Sequence, residues 1–106
     1  MHCHGGNGFD VMEGSNSIEK MSKYHLSHGS TSIMPTTWTN TFEETHNALE
    51  GFNDIYNKNS NILGIHLEGP FISPDKLGAQ PNLTQLPSQE FIMKLLEVAK
   101  IKIITL

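Results

Sequence analysis

The chain has 106 residues, room for one small domain. Of these, 37% are hydrophobic and 17% charged, too little charge for an acidic tail or a charged disordered region. The net charge is −4 and all seven basic residues are Lys, so there is neither a basic patch for nucleic acid nor an Arg for a bidentate phosphate clamp.

The chain opens "MHCHGGNGFDVMEG", which reads as the last residues of a strand followed by a Gly-rich loop. His2 and His4 are i, i+2 on that strand, so they share a face and can share one metal ion. Cys3 points the other way, into the layer between strand and helix, and reads as a small packed hydrophobe, with a metal ligand as the alternative. It is the one cysteine, which excludes an internal disulfide and a Cys-rich zinc site. "GGNG" lacks the GK[ST] ending of a phosphate loop.

A first helix is expected from near Asn16, which stands at capping-box spacing from Glu19. Ile18, Met21 and His25 fall on one face, and Gly29 closes the helix. "STSIMPT" is a short strand that Pro35 is expected to stop. A capping box at Thr41 and Glu44 opens the second helix, where Phe42, Leu49, Phe52 and Tyr56 recur at helical spacing. Gly51 inside it costs about 1 kcal/mol relative to Ala, which argues against a continuous helix.

"NILGIHLE" is the next strand, its Ile62, Leu63, Ile65 and Leu67 forming the near-continuous apolar run of a strand buried on both faces. Residues 69–87 form a long loop, of a length that points to function. "SQEFIMKLLEVAK" is a helix with Phe91, Ile92, Leu95 and Val98 as its apolar side, and "IKIITL" is a final strand. No run approaches 18 apolar residues, so no transmembrane helix is expected.

Strand, helix, strand, helix, strand, helix, strand is the order of an α/β fold, with right-handed βαβ units on a parallel sheet. Both ends of the chain fall at or inside strands, and a complete (β/α)8 barrel needs roughly 250 residues. The expectation is therefore the first part of something larger. Glu68 ends the apolar strand, where a carboxylate is costly unless paired or metal-bound. It can bind a divalent ion, or it can be a strand-ending Glu in solvent. His66 shares its face and is either a partner that orients Glu68 or a histidine at the core edge. His25, His28 and His46 read as helix-face histidines.

Three stretches, "HCHGGNGFDVMEG", "HLSHGSTSIMPTTWT" and "GIHLEGPFISPDKLGAQP", resemble the N-acetylglucosamine-6-phosphate deacetylases of the amidohydrolase superfamily, in the order and at the spacing of that family. The resemblance covers nearly all of the chain and about the first third of the family's barrel. It implies that residues 1–106 are an incomplete (β/α)8 TIM-type barrel, from the end of strand 1 to strand 4. It implies metal-dependent hydrolysis of the acetamide of N-acetylglucosamine 6-phosphate, giving glucosamine 6-phosphate and acetate.

Glu68 matches the family's metal-binding carboxylate. His2 and His4 match the paired histidines that some members use for a second ion; other members have Gln and Asn there and work with one. Ala79 and Gln80 match loop positions that contact the sugar. The cofactor implied is Zn or Fe, one or two ions per full-length site. The partners implied are a small sugar phosphate and further copies of the full-length enzyme, in the cytoplasm, with no nucleic acid and no membrane.

The family's later metal-binding histidines, its proton-transferring Asp and its phosphate contacts match positions beyond residue 106. Its small β-sandwich domain has no counterpart in this sequence. Another amidohydrolase, or a non-enzymatic gene remnant or subunit, are the competing readings. Unclosed parallel strands leave open edges, so poor solubility is expected. The isolated chain is expected to be inactive: with Zn²⁺ or Fe²⁺ added it should release no acetate from N-acetylglucosamine 6-phosphate, and turnover at a native-like rate would contradict this.

Overall fold

Four short parallel strands lie side by side in the order in which the chain makes them. The structure, a computed structural model, describes residues 1–106. Its strands are β1 (His2–Cys3), β2 (Gly5–Gly6), β3 (Phe9–Asp10), β4 (Met34–Pro35), β5 (Ile65–Glu68) and β6 (Ile101–Thr105). Its α-helices are α1 (Ser15–Ser27), α2 (Phe42–Tyr56) and α3 (Gln89–Val98). β1 pairs with β4 and β5 with β6, all parallel. The bridges Ile33–Ile62 and Thr36–His66 join the two pairs. The architecture is α/β, parallel strands connected by helices, as the alternation of apolar patterns requires.

Pro35 is the last residue of β4, as expected, although backbone pairing runs on through Thr36. Met34 and Thr36 donate their N–H groups to β1, at Met1 O (2.8 Å) and Cys3 O (2.9 Å). Ile33 and Thr37 donate the other way, to Asn61 O (2.8 Å) and His66 O (3.1 Å). Pro35 stands between those two and has no N–H, so one rung toward β5 is missing. That reduces the β4–β5 contact to two bridges. The strand expected over residues 61–68 is also shorter: it begins at Ile65, after Gly64 packs against Lys102 with φ 153°. Ile62, Ile65 and Leu67 are buried, but Leu63 is exposed, contrary to the apolar-run reading.

The opening loop holds more order than expected. Asn7 (φ 54°) and Gly8 (φ 81°) form a two-residue turn between β2 and β3, the Asn-Gly arrangement that matches hairpin twist. Asp10 then caps a single 3-10 turn, Val11–Glu13. Its Oδ1 accepts from Met12 N at 2.8 Å, and Glu13 Oε2 accepts from Asp10 N at 3.1 Å. This reciprocal box stands in place of the expected Asn16–Glu19 box. The 3-10 turn delivers the chain into α1 at Ser15, so Asn16 is already inside the helix, and Glu19 pairs with Lys23 at 2.7 Å instead. Thr41 caps α2 by accepting from Glu44 N, while the Thr41 N–H goes to Asn40 Oδ1.

The helices form one layer. Ile18 and Met21 from α1, Leu49 and Phe52 from α2, and Phe91 and Leu95 from α3 share a core with Cys3, Ile33, Ile65 and Leu67. The thinnest extent of the molecule is 19 Å, about one helix on one sheet.

α2 runs unbroken through Gly51. A β-carbon there would come within 2.8 Å of Ser15 N and 3.0 Å of Gly14 Cα, so the glycine lets α1 start against α2. Gly51→Ala improves helix propensity by about 1 kcal/mol but forces this contact apart, and overpacking costs ~1–3 kcal/mol. We expect a lower melting temperature for Gly51→Ala, read by circular dichroism; an increase would show that the helix contact yields freely.

Candidate metal centre

Strand alternation puts Cys3, Ile65 and Leu67 toward the helices and His2, His66 and Glu68 on the opposite face, with His4 just beyond β1. There the side chains converge. His4 Nε2 lies 2.9 Å from Glu68 Oε2, His2 Nε2 lies 3.6 Å from the same oxygen, and the two Nε2 atoms are 3.1 Å apart. One ligand atom from each of His2, His4 and Glu68 falls within 4.8 Å of the others. Both ends of the HCH stretch and the end of β5 thus meet across β4.

Each side chain is held from behind. His4 Nδ1 is 3.0 Å from Thr36 O, and a carbonyl only accepts, so the proton of that ring sits on Nδ1. A neutral His4 therefore turns an Nε2 lone pair toward Glu68 Oε2. That oxygen is buried and has no hydrogen-bond donor. A lone pair facing a carboxylate oxygen is repulsive until a cation or a proton comes between them. Glu68 is placed by its backbone, whose N–H donates to Thr37 Oγ1 at 3.3 Å.

Of the two readings of His66, no hydrogen bond supports the one in which it orients Glu68: the ring is buried and its hydrogen bonds go to His2 and Thr105. Its Nδ1 is 3.0 Å from His2 Nδ1, and its Nε2 is 2.7 Å from Thr105 Oγ1. The reason lies in the pairing. His66 bridges Thr36 on the β4 side, which brings it beside the β1 histidines. Burial first, and then the neighbouring His2, hold the His66 ring below the ordinary histidine range, with Glu68 pulling the other way. Burial likewise pushes the Cys3 thiol up, opposed by the chain's amino terminus.

Ala79 and Gln80 are placed by the long loop, away from the histidine cluster's hydrogen bonds. Gln80 Oε1 accepts the Thr39 N–H at 2.7 Å. Ala79 lines an open groove of about 450 Å³ with Asp10, Trp38 and Asn40 among its other walls. Trp38 connects groove and cluster: its ring stacks on His4 at 3.9 Å between centroids, and its Nε1–H donates to Asp10 Oδ2 at 3.2 Å.

Trp38, Thr36, Thr37 and Thr105 had no role in the sequence reading. The available signal was the polar run "TTWT" directly after a strand, the same position that HCH and Glu68 occupy on theirs. His25, His28 and His46 lie outside the cluster. His25 nonetheless has a task, donating from Nε2 to Gly5 O at 3.0 Å and so bracing the hairpin against α1.

No family model matches the chain. It is 37% identical over 101 residues to the N-acetylglucosamine-6-phosphate deacetylase of Bacillus subtilis, a match covering 89% of this chain and 26% of that protein. With the enzyme of the same name from Lysinibacillus sphaericus it shares 34% over 113 residues, covering 100% and 29%. The solved N-acetyl-D-glucosamine-6-phosphate deacetylase of Mycobacterium smegmatis superposes with a TM-score of 0.86 at 28% identity, over 99% of this chain and 31% of that one. The chain is homologous to part of the N-acetylglucosamine-6-phosphate deacetylases. These relatives are hydrolases, and the chain spans less than a third of the length of each.

The Glu68 geometry has a measurable consequence for stability. In Glu68→Gln the side-chain amide donates to the His4 Nε2 lone pair, replacing a repulsive contact with a hydrogen bond. With chelator present, we expect Glu68→Gln to be more stable than the native chain by ~1 kcal/mol. Urea unfolding measures this, and a destabilised variant would contradict it.

Proposed function

We propose that residues 1–106 belong to a (β/α)8 catalytic barrel and supply His2, His4 and Glu68 to its divalent metal. The reaction proposed is hydrolysis of the acetamide of N-acetylglucosamine 6-phosphate to glucosamine 6-phosphate and acetate. The observation that carries this is the donor set itself. A buried, donor-less carboxylate oxygen faces an Nε2 whose proton the Thr36 carbonyl has drawn to the far side of the ring. Imidazole nitrogens with one carboxylate suit Zn and Fe alike.

Such an ion supplies Lewis acidity, polarising an amide carbonyl and lowering the pKa of water toward neutrality. The residues do the rest. Glu68 contributes negative charge at the strand end, and β5 and the Thr37 hydroxyl hold it there. His4 is clamped between the Thr36 carbonyl and the Trp38 ring, which leaves it one orientation. Gln80 commits its oxygen to the Thr39 N–H, so its NH₂ group is left as a donor for a sugar hydroxyl or acetyl oxygen, with Ala79 giving close approach.

The substrate class is supported by the names of the relatives. A variant of the Mycobacterium smegmatis enzyme is solved in complex with N-acetyl-D-glucosamine-6-phosphate, at 26% identity and a TM-score of 0.87. A second reading changes only the sugar: an Escherichia coli O157:H7 relative, 33% identical over 84 residues, is an N-acetylgalactosamine-6-phosphate deacetylase. A cytoplasmic location and assembly of full-length copies belong to the same proposal. No helix is long and apolar enough to cross a membrane.

The test is metal binding by the chain itself. Zn²⁺ at 100 times its dissociation constant should stabilise the native chain by about 2.7 kcal/mol. Glu68→Gln and His4→Ala should lose that shift in thermal unfolding and should lose stoichiometric Zn²⁺ by elemental analysis. A native chain that takes up no Zn²⁺ or Fe²⁺ would overturn the metal reading.

A further inference from the structure

His2 is the most exposed of the three ligand candidates, with a side chain 47% accessible, and nothing on its own strand fixes the ring. Its one contact on the side away from Glu68 is His66 Nδ1, at 3.0 Å. His66 is in turn anchored through Nε2 to Thr105 Oγ1, at 2.7 Å. The three residues come from β1, β5 and β6, and the line they form runs across the sheet to its far strand.

An N–H···N contact has one proton, so the His2–His66 pair has two arrangements. In one, His66 donates to His2, and the second proton of the His2–His66 pair sits on His2 Nε2, directed at His4 Nε2, 3.1 Å away. In the other, His2 donates from Nδ1, His66 Nδ1 accepts, and His66 Nε2–H donates to the Thr105 hydroxyl. The Thr105 hydroxyl rotates to donate or to accept, so it serves either arrangement. Only the second leaves the His2 Nε2 lone pair open toward Glu68. The two differ by where protons sit, not by how many there are.

We infer that His66, anchored by Thr105, is a positioning residue for His2: it accepts the Nδ1–H of His2 and so frees Nε2 for a cation. The inference rests on the reading of His2 as a metal ligand. It extends that reading to two residues that touch neither the carboxylate nor His4 by a hydrogen bond. A ligand histidine with a hydrogen-bonded far nitrogen holds its metal 10–100-fold more tightly than one without. His66 and Thr105 supply that bond from two other strands.

The experiment pairs ¹⁵N NMR of the histidine rings with Zn²⁺ titration by calorimetry. In the native chain without metal, a scalar coupling should join His2 Nδ1 and His66 Nδ1, because either arrangement contains that bond. With Zn²⁺, the proton should be on His2 Nδ1 and on His66 Nε2. His66→Leu removes the acceptor and should weaken Zn²⁺ binding about 10–100-fold. His66→Asn keeps an acceptor oxygen near the Nδ1 position and should restore most of the affinity, which a merely structural role would not predict. Thr105→Val should weaken binding less than His66→Leu.

An absent His2–His66 coupling overturns the inference whether or not metal binds, and it needs no variant that must fold. Native Zn²⁺ affinity in His66→Leu, or a Zn²⁺ form with the proton on His2 Nε2, overturns it as well. A native chain that shows the coupling but takes up no Zn²⁺ overturns the metal reading, and with it the role of His66 toward a cation.

Discussion

Thr36 is the residue on which the arrangement of the site depends. Its N–H donates to Cys3 O at 2.9 Å and its hydroxyl accepts from Cys3 N at 3.3 Å, which locks β4 to β1. Its carbonyl takes the Nδ1 side of His4, and its backbone bridges His66 on the next strand. The position before it, Pro35, has no N–H to give. Beside the histidines, the register between β4 and β5 is therefore carried by Thr36 and Thr37, with the Ile33–Ile62 bridge before them. Thr37 donates its N–H to His66 O and accepts the Glu68 N–H on its hydroxyl. A slip of one residue would turn Glu68 to the helix face and bury its carboxylate among isoleucines.

The site brings two imidazole nitrogens to one carboxylate oxygen, a set that would bind a shared proton or cation. Glu68 Oε2 is buried with no hydrogen-bond donor, and two histidine nitrogens point at it. A buried polar atom left unpaired costs roughly 1–3 kcal/mol. The fold tolerates this because the strands, Thr36, Thr37 and the Trp38 ring fix the side chains from behind. A protein built for stability alone would place an amide or an apolar residue at the end of β5.

Much of this was legible in the chain. Period-two alternation in HCH and IHLE is enough to put His2 with His4, and His66 with Glu68, on shared faces. The apolar spacing in the helices marks Ile18, Met21, Leu49, Phe52, Phe91 and Leu95, which join the buried core, and Phe42, Tyr56, Ile92 and Val98, which are partly buried and pack against it. What misled was local punctuation. Pro35 does end β4, yet backbone pairing continues through Thr36, because the missing donor falls on the side where the ladder can spare a rung. Gly51 reads as a helix breaker, yet it marks where α1 begins against α2. Leu63 reads as core, but Gly64 turns the chain before the strand starts.

The sequence by itself determined the α/β alternation, the facing of each candidate ligand and the resemblance carried by "HLEGPF". Those follow from short-range spacing, which the backbone converts directly into direction. Only the tertiary structure decided which histidine His66 serves, that Thr36 and Trp38 clamp His4 from two sides, and that Thr105 ends the line. These pairings join residues dozens of positions apart. They depend on strand register and on a missing rung at Pro35, and no local pattern encodes the distance between two strands.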